Sequence, residues 1–190
     1  LSIHQSAEQA MNYLDELVIK YPMQHELRKL YADILYDMEK YQKAAKNYIV
    51  LTQYDDYQDH ALLQLAYLNI TNNDLKAAEK YLLKLSYSQE YKELSQYYLG
   101  LVSQQMGKNQ KALDYFDQVN NGEYLIRSKV RAMSILNEQK KYDIAATTLQ
   151  SIYKSSEEDP NNISTVSSHM KATSQFHNPI PDENNYSTFN

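Results

Sequence analysis

Apolar and polar positions along this chain recur with a long period laid over a helical one. Four stretches share one layout: EKYQKAAKNY over residues 39–48, NDLKAAEKYL over 73–82, KNQKALDYFD over 108–117 and KKYDIAATTL over 140–149. Each opens on a polar turn, passes a residue of the Tyr41, Leu75, Asn109, Tyr142 series, reaches a central alanine and places an apolar side chain four positions later. An apolar side chain one turn beyond a small one marks a single helix face, so each stretch predicts a helix start. The central alanines Ala10, Ala44, Ala78 and Ala112 stand 34 residues apart, and Ala145 follows after 33. Twelve residues before three of them comes a second small residue, Ala32, Ala66 and Gly100, preceded by Tyr31, Leu65 and Leu99. Helices that cross at close range need a side chain no larger than a methyl where they touch. The pattern therefore predicts one helix pair per period, crossing at these small positions.

Turn and breaker residues set the elements. An unpaired second helix is expected over residues 6–20, closed by Tyr21-Pro22, because proline cannot continue a helix and pushes its neighbour out of the α region. Helix pairs are expected over 25–54, 58–85, 91–119 and 124–153, with turns at Glu39-Lys40, Asn72-Asn73-Asp74 and Gly107-Lys108-Asn109 and an entry at Asn120-Asn121-Gly122. Residues 1–154 thus form one array of repeats. The phase of Ala10 makes LSIHQ the end of a helix whose start is missing, so the chain reads as a piece of a longer array. From 155 to 190 the helical spacing stops, and 19 of those 36 residues are Ser, Thr, Asn or Pro. Too little apolar surface is available there to offset ordering entropy, so this tail is expected to be disordered, with Phe176, Tyr186 and Phe189 as a candidate docking motif.

Composition narrows the function. A formal charge of −5 supplies no basic field, which disfavours nucleic acid as a partner. Cysteine is absent, so disulfides, thiolate nucleophiles and Cys-ligated zinc are excluded. No apolar run reaches membrane-spanning length, so membrane insertion by this segment is not expected. Catalytic templates find no match. His4, His25, His60, His169 and His177 lack metal-ligand spacing, and His25 and His60 read as solvated residues at helix starts. Asp55-Asp56, Glu157-Glu158-Asp159 and Asp182-Glu183 read as solvated carboxylates of turns and tail. Gly100, Gly107 and Gly122 stand alone rather than in a phosphate loop. No enzyme activity, cofactor or metal is expected.

Stacked pairs would wind into a right-handed α-solenoid whose concave wall is made by each pair's first helix. Counting from the alanines, that wall offers Lys29, Asp33 and Tyr36, then Leu63, Tyr67 and Ile70, then Tyr97, Leu101 and Gln104, then Val130, Ser134 and Asn137. Leu62, Leu65, Ala66, Leu99 and Gly100 would supply the core, leaving the apolar and aromatic members free to anchor an extended or helical segment of a protein partner. The array ends lack polar caps, and end-to-end self-association is expected from them.

The whole pattern resembles the tetratricopeptide (TPR) repeat family from Ser6 to Lys154. Chaperone-binding members hold a partner's terminal carboxylate in a clamp of Lys, Asn and Arg. Here Lys29 is present but Asp33, Gln64, Leu94 and Tyr98 take the other places, so the clamp is lost. Residues 97–150 are more narrowly similar to the central repeats of bacterial outer-membrane tetratricopeptide lipoproteins that serve as adaptors for a periplasmic C-terminal processing protease. Tyr98, Leu99, Gly100, Val119, Gly122, Tyr124 and Arg131 carry that likeness, while the lipid-bearing cysteine and the further repeats are not in this chain. The resemblance implies an adaptor on the periplasmic side of the outer membrane, anchored outside this segment, that presents cell-envelope proteins to a protease. A pilus or secretion scaffold, a cytoplasmic location, and the non-catalytic arm of a larger enzyme are the alternatives.

Overall fold

The computed structural model describes residues 3–158, with side chains over 9–151. All regular structure among them is helical: α1 (Ile3–Lys20), α2 (His25–Asp37), α3 (Tyr41–Leu51), α4 (Asp55–Thr71), α5 (Leu75–Leu85), α6 (Lys92–Gln105), α7 (Asn109–Asp117), α8 (Tyr124–Glu138) and α9 (Tyr142–Glu158). The second helices α3, α5, α7 and α9 begin on Tyr41, Leu75, Asn109 and Tyr142, the series that opens each sequence motif. Several bounds differ from expectation, and α1 already begins at Ile3, so Ile3, His4 and Gln5 belong to it rather than to the end of a preceding helix. Asp55 and Asp56 open α4 rather than sit in a turn, where carboxylates favour the partial positive charge of a helix start. Helix α9 runs on to Glu158, the last of the described residues, five beyond the expected end. The expected tail and its docking motif otherwise lie outside the described residues.

Each pair turns through one residue in the left-handed region: Glu39 at φ 58°, Asn73 at 58°, Gly107 at 74° and Lys140 at 59°. These positions repeat the period of the alanines. A left-handed residue after a helix turns its own N–H and the one that follows back onto the helix carbonyls. Glu39 and Lys40 donate to Tyr36 and Leu35, Gly107 and Lys108 to Gln104 and Ser103, and Lys140 and Lys141 to Asn137 and Leu136. Only Gly107 adopts this geometry without the steric penalty of a Cβ, roughly 1–2 kcal/mol in the left-handed region.

The helices form two compact units, Leu1–Asn69 and Ile70–Asn190. In the first, α2 packs on α1 and α3, and Tyr31, Leu35, Tyr48 and Leu51 make a fully buried core. In the second, α6 packs on α5, α7 and α8, and α8 packs on α7 and α9, which is the stacking of successive pairs through their first helices. Its core joins Tyr97, Leu101, Ala112, Phe116, Val119 and Ile135.

The small positions are buried as close crossing demands. Ala32, Ala44, Ala66, Ala78 and Ala112 have no exposed surface, and Ala145 has 4%. A Cβ added to Gly100 of α6 would run into the Phe116 ring of α7, so any side chain there must push that ring aside. Ala10 is exposed, because no helix among the described residues precedes α1 to cover it. A third small series, Ala61, Ser95 and Ser128, is also fully buried. It follows the same period, and its spacing could have been read from the sequence.

Candidate binding surface

In the first unit, Lys29, Asp33 and Tyr36 follow one face of α2 at intervals of four and three residues, the spacing that stacks side chains along a helix. Asp33 is the centre of this face. Its Oδ2 receives Lys29 Nζ at 3.0 Å, while its Oδ1 receives the Tyr48 hydroxyl at 2.7 Å and contacts His60 Nε2 at 2.8 Å. One carboxylate therefore links α2, α3 and α4. Burial by itself would raise Asp33, but the hydrogen bond and charge of His60, with the bonds from Tyr48 and Lys29, hold it below its ordinary value. Tyr48 is pushed upward, first by burial and then by the Asp33 charge it faces. Lys29, His60 and Asp33 each keep between a quarter and a third of their side chains exposed, so the cluster meets solvent along one edge.

This arrangement corrects the reading of His60 as simply solvated, since Asp33 lies one helix pair back at hydrogen-bond distance. His25 likewise stacks on Tyr54 with ring centroids 3.6 Å apart. A sequence signal existed. The positions one and two periods after Asp33 carry Tyr67 and Leu101, so a lone acid in that series called for a buried donor, and Tyr48 and His60 provide two.

The apolar members of the expected wall are placed differently. Leu63, Tyr67, Ile70, Tyr97, Leu101 and Val130 are each at most 9% exposed. Tyr97 and Leu101 belong to the core of the second unit, which corrects the expectation that Leu99 and Gly100 fill it without them. The Tyr97 ring centroid lies 5.3 Å from Tyr124, 5.4 Å from Tyr98 and 6.1 Å from Phe116. Burial pushes the Tyr124 hydroxyl upward, with the neighbouring Tyr98 and Glu123 adding to it and Arg127 opposing. What stays accessible is polar: Gln104 and Ser134 are half-buried and Asn137 is exposed. Side chains of the size of Tyr97 and Leu101 stay in a core because each withdraws about 2–3 kcal/mol of apolar surface from water.

Among the described residues no group of three His, Asp or Glu side chains could hold a metal ion. No described helix is long and apolar enough to cross a membrane.

The sequence matches no protein-family model and no curated protein. Solved structures do share its fold. A crystal structure of MamA superimposes with a TM-score of 0.66 at 16% identity, covering 85% of this chain and 98% of that one. A second crystal structure of the MamA protein gives 0.66 at 17%, covering 83% and 87%. PilF of Pseudomonas aeruginosa gives 0.58 at 14%, covering 90% and 76%. Identities this low speak for fold rather than task. Together with the period and the helix pairing they establish an all-α fold of the tetratricopeptide type.

Proposed function

We propose that this chain is a non-enzymatic protein-binding adaptor that holds a partner segment against its first-helix faces. The observation that carries the reading is the fold itself, a stack of helix pairs whose first helices keep polar side chains accessible over a closed apolar core. In the first unit the contact residues would be Lys29, Asp33 and Tyr36, and in the second Gln104, Ser134 and Asn137. Leu63, Tyr67, Ile70, Tyr97, Leu101 and Val130 support these faces from beneath. Binding through a polar face over a rigid core gives specificity by matched hydrogen bonds, with affinity set by how few groups are left unpaired. The likeness of residues 97–150 to envelope adaptors supports a finer reading, in which the partner is a cell-envelope protein handed to a periplasmic protease.

Immobilised chain exposed separately to envelope and cytosolic extracts of a bacterium tests both levels. The expected result is retention of a defined envelope protein, reduced by Lys29→Ala or Asn137→Ala with the melting curve unchanged. Retention of cytosolic proteins alone would remove the envelope assignment. Retention indifferent to both substitutions would remove the first-helix faces.

A further inference from the structure

The second helices carry a feature that the first-helix reading does not use. In the second unit α5 and α7 are tied by a salt bridge from Lys111 Nζ to Glu79. Glu79 directly follows the central alanine of its repeat, and Lys111 directly precedes the next. One period later those two positions hold Leu113 and Ile144. No bridge closes the space there. Instead α7, α8 and α9 enclose an open groove of about 920 Å³, and both Leu113 and Ile144 line it.

Its floor is the stripe Leu125, Ala132 and Leu136 on α8, whose spacings of seven and four keep all three on one helix face. Ile144 is 53% exposed on the α9 wall, an apolar side chain with water where its counterpart one repeat back has a charged partner. The rims differ in sign. Asp114 and Asp117 stand exposed on the α7 side and Lys141 stands exposed on the α9 side, while Lys129 of α8 shares the floor stripe between Leu125 and Ala132 and reaches Ser151 Oγ of α9 at 3.2 Å. Asp117 and Lys141 are in none of the ion pairs found among the described residues.

We propose that this groove docks an amphipathic helix of a partner protein, with an apolar stripe seated on Leu113, Leu136 and Ile144, basic side chains along the edge facing Asp114 and Asp117, and acidic ones along the edge facing Lys141, one of them reaching down to Lys129 in the floor. A helix laid there packs against three others as in a bundle, and about 14 Å of wall along α7 accommodates two to three turns. An extended peptide would find no sheet edge to join among the described residues. Opposite rims select a partner by charge pattern while the floor supplies the apolar contact.

Two synthetic peptides of about 14 residues test this, sharing one leucine face and differing at the flanks, either lysine on one edge with glutamate on the other, or serine on both. Titration of the whole chain by calorimetry should show the charged peptide binding at least about tenfold more tightly than the serine peptide. Ile144→Lys should weaken it by about tenfold or more with helicity and melting unchanged, the position being exposed. Leu113→Glu combined with Ile144→Lys rebuilds the bridge of the preceding repeat and should abolish binding. Three results would overturn the proposal: no saturable binding up to about 1 mM, binding indifferent to Ile144→Lys, or concentration-dependent association of the chain alone that Ile144→Lys abolishes, which would make a second copy the occupant. The first-helix face is untouched by these variants, so its own test is independent.

Discussion

Replacing Gly100 by alanine sets two opposing effects against each other at one crossing. In a helix interior the change should stabilise by about 0.5–1 kcal/mol, since alanine has less backbone freedom to lose. Against this, the new Cβ would lie 2.3 Å, 2.5 Å and 2.8 Å from three ring atoms of Phe116. Carbon atoms are comfortable at about 3.5–4.0 Å, so the ring must retreat by more than about 1 Å. It has little room: Phe116 is 2% exposed and sits among Tyr97, Leu101, Val119 and Ile135. Overfilling a packed core costs about 1–3 kcal/mol, which outweighs the propensity gain and leaves a net destabilisation of about 1 kcal/mol or more. Phe116→Leu alone should also destabilise, by about 1 kcal/mol, through lost apolar contact. Combined, the two restore the residue types that stand one period earlier, Ala66 and Leu82, and the pair should recover about 1 kcal/mol relative to the sum of the single changes. Urea unfolding followed by circular dichroism on the four proteins of the cycle reads all three values. If Gly100→Ala is as stable as the parent or more so, or if the cycle shows no coupling, the crossing is not set by the contact between Gly100 and Phe116.

Asp33 is held below its ordinary value of 3.8, so its stabilisation is complete above that pH and is lost as pH falls through the lower folded value. Asp33→Asn should cost about 1–3 kcal/mol near neutral pH and flatten the acid limb of stability, measured by urea unfolding at several pH values; an unchanged acid limb would mean that Lys29, Tyr48 and His60 do not share this carboxylate in solution. Tyr97→Ala should destabilise by about 3 kcal/mol or more because the ring is core, whereas loss of partner binding with an intact melting curve would return Tyr97 to the binding face.

The buried small positions show how far one-dimensional reading reaches. Ala44, Ala78 and Ala112 recur because every pair meets its own neighbour through the same crossing, so a local requirement repeated in space becomes a repeat in sequence. The turns at Glu39, Asn73, Gly107 and Lys140 are legible for the same reason. The side chains of the expected concave wall were harder. Helical spacing places Leu63, Tyr67, Tyr97 and Leu101 on a face but does not say whether another helix covers it, and all four proved buried. Likewise nothing local distinguishes a histidine in water from His60, whose partner stands 27 residues away.

By itself the sequence determined what each repeat needs from its immediate neighbours: helix starts, polar turns and the small side chains of each crossing. These depend on interactions within about one period. Tertiary structure decided which apolar faces are closed, that Asp33 gathers three donors from three helices, and that the space between α7 and α9 stays open. Burial and long-range pairing are properties of which surfaces meet, and they depend on side-chain volumes contributed by several helices at once.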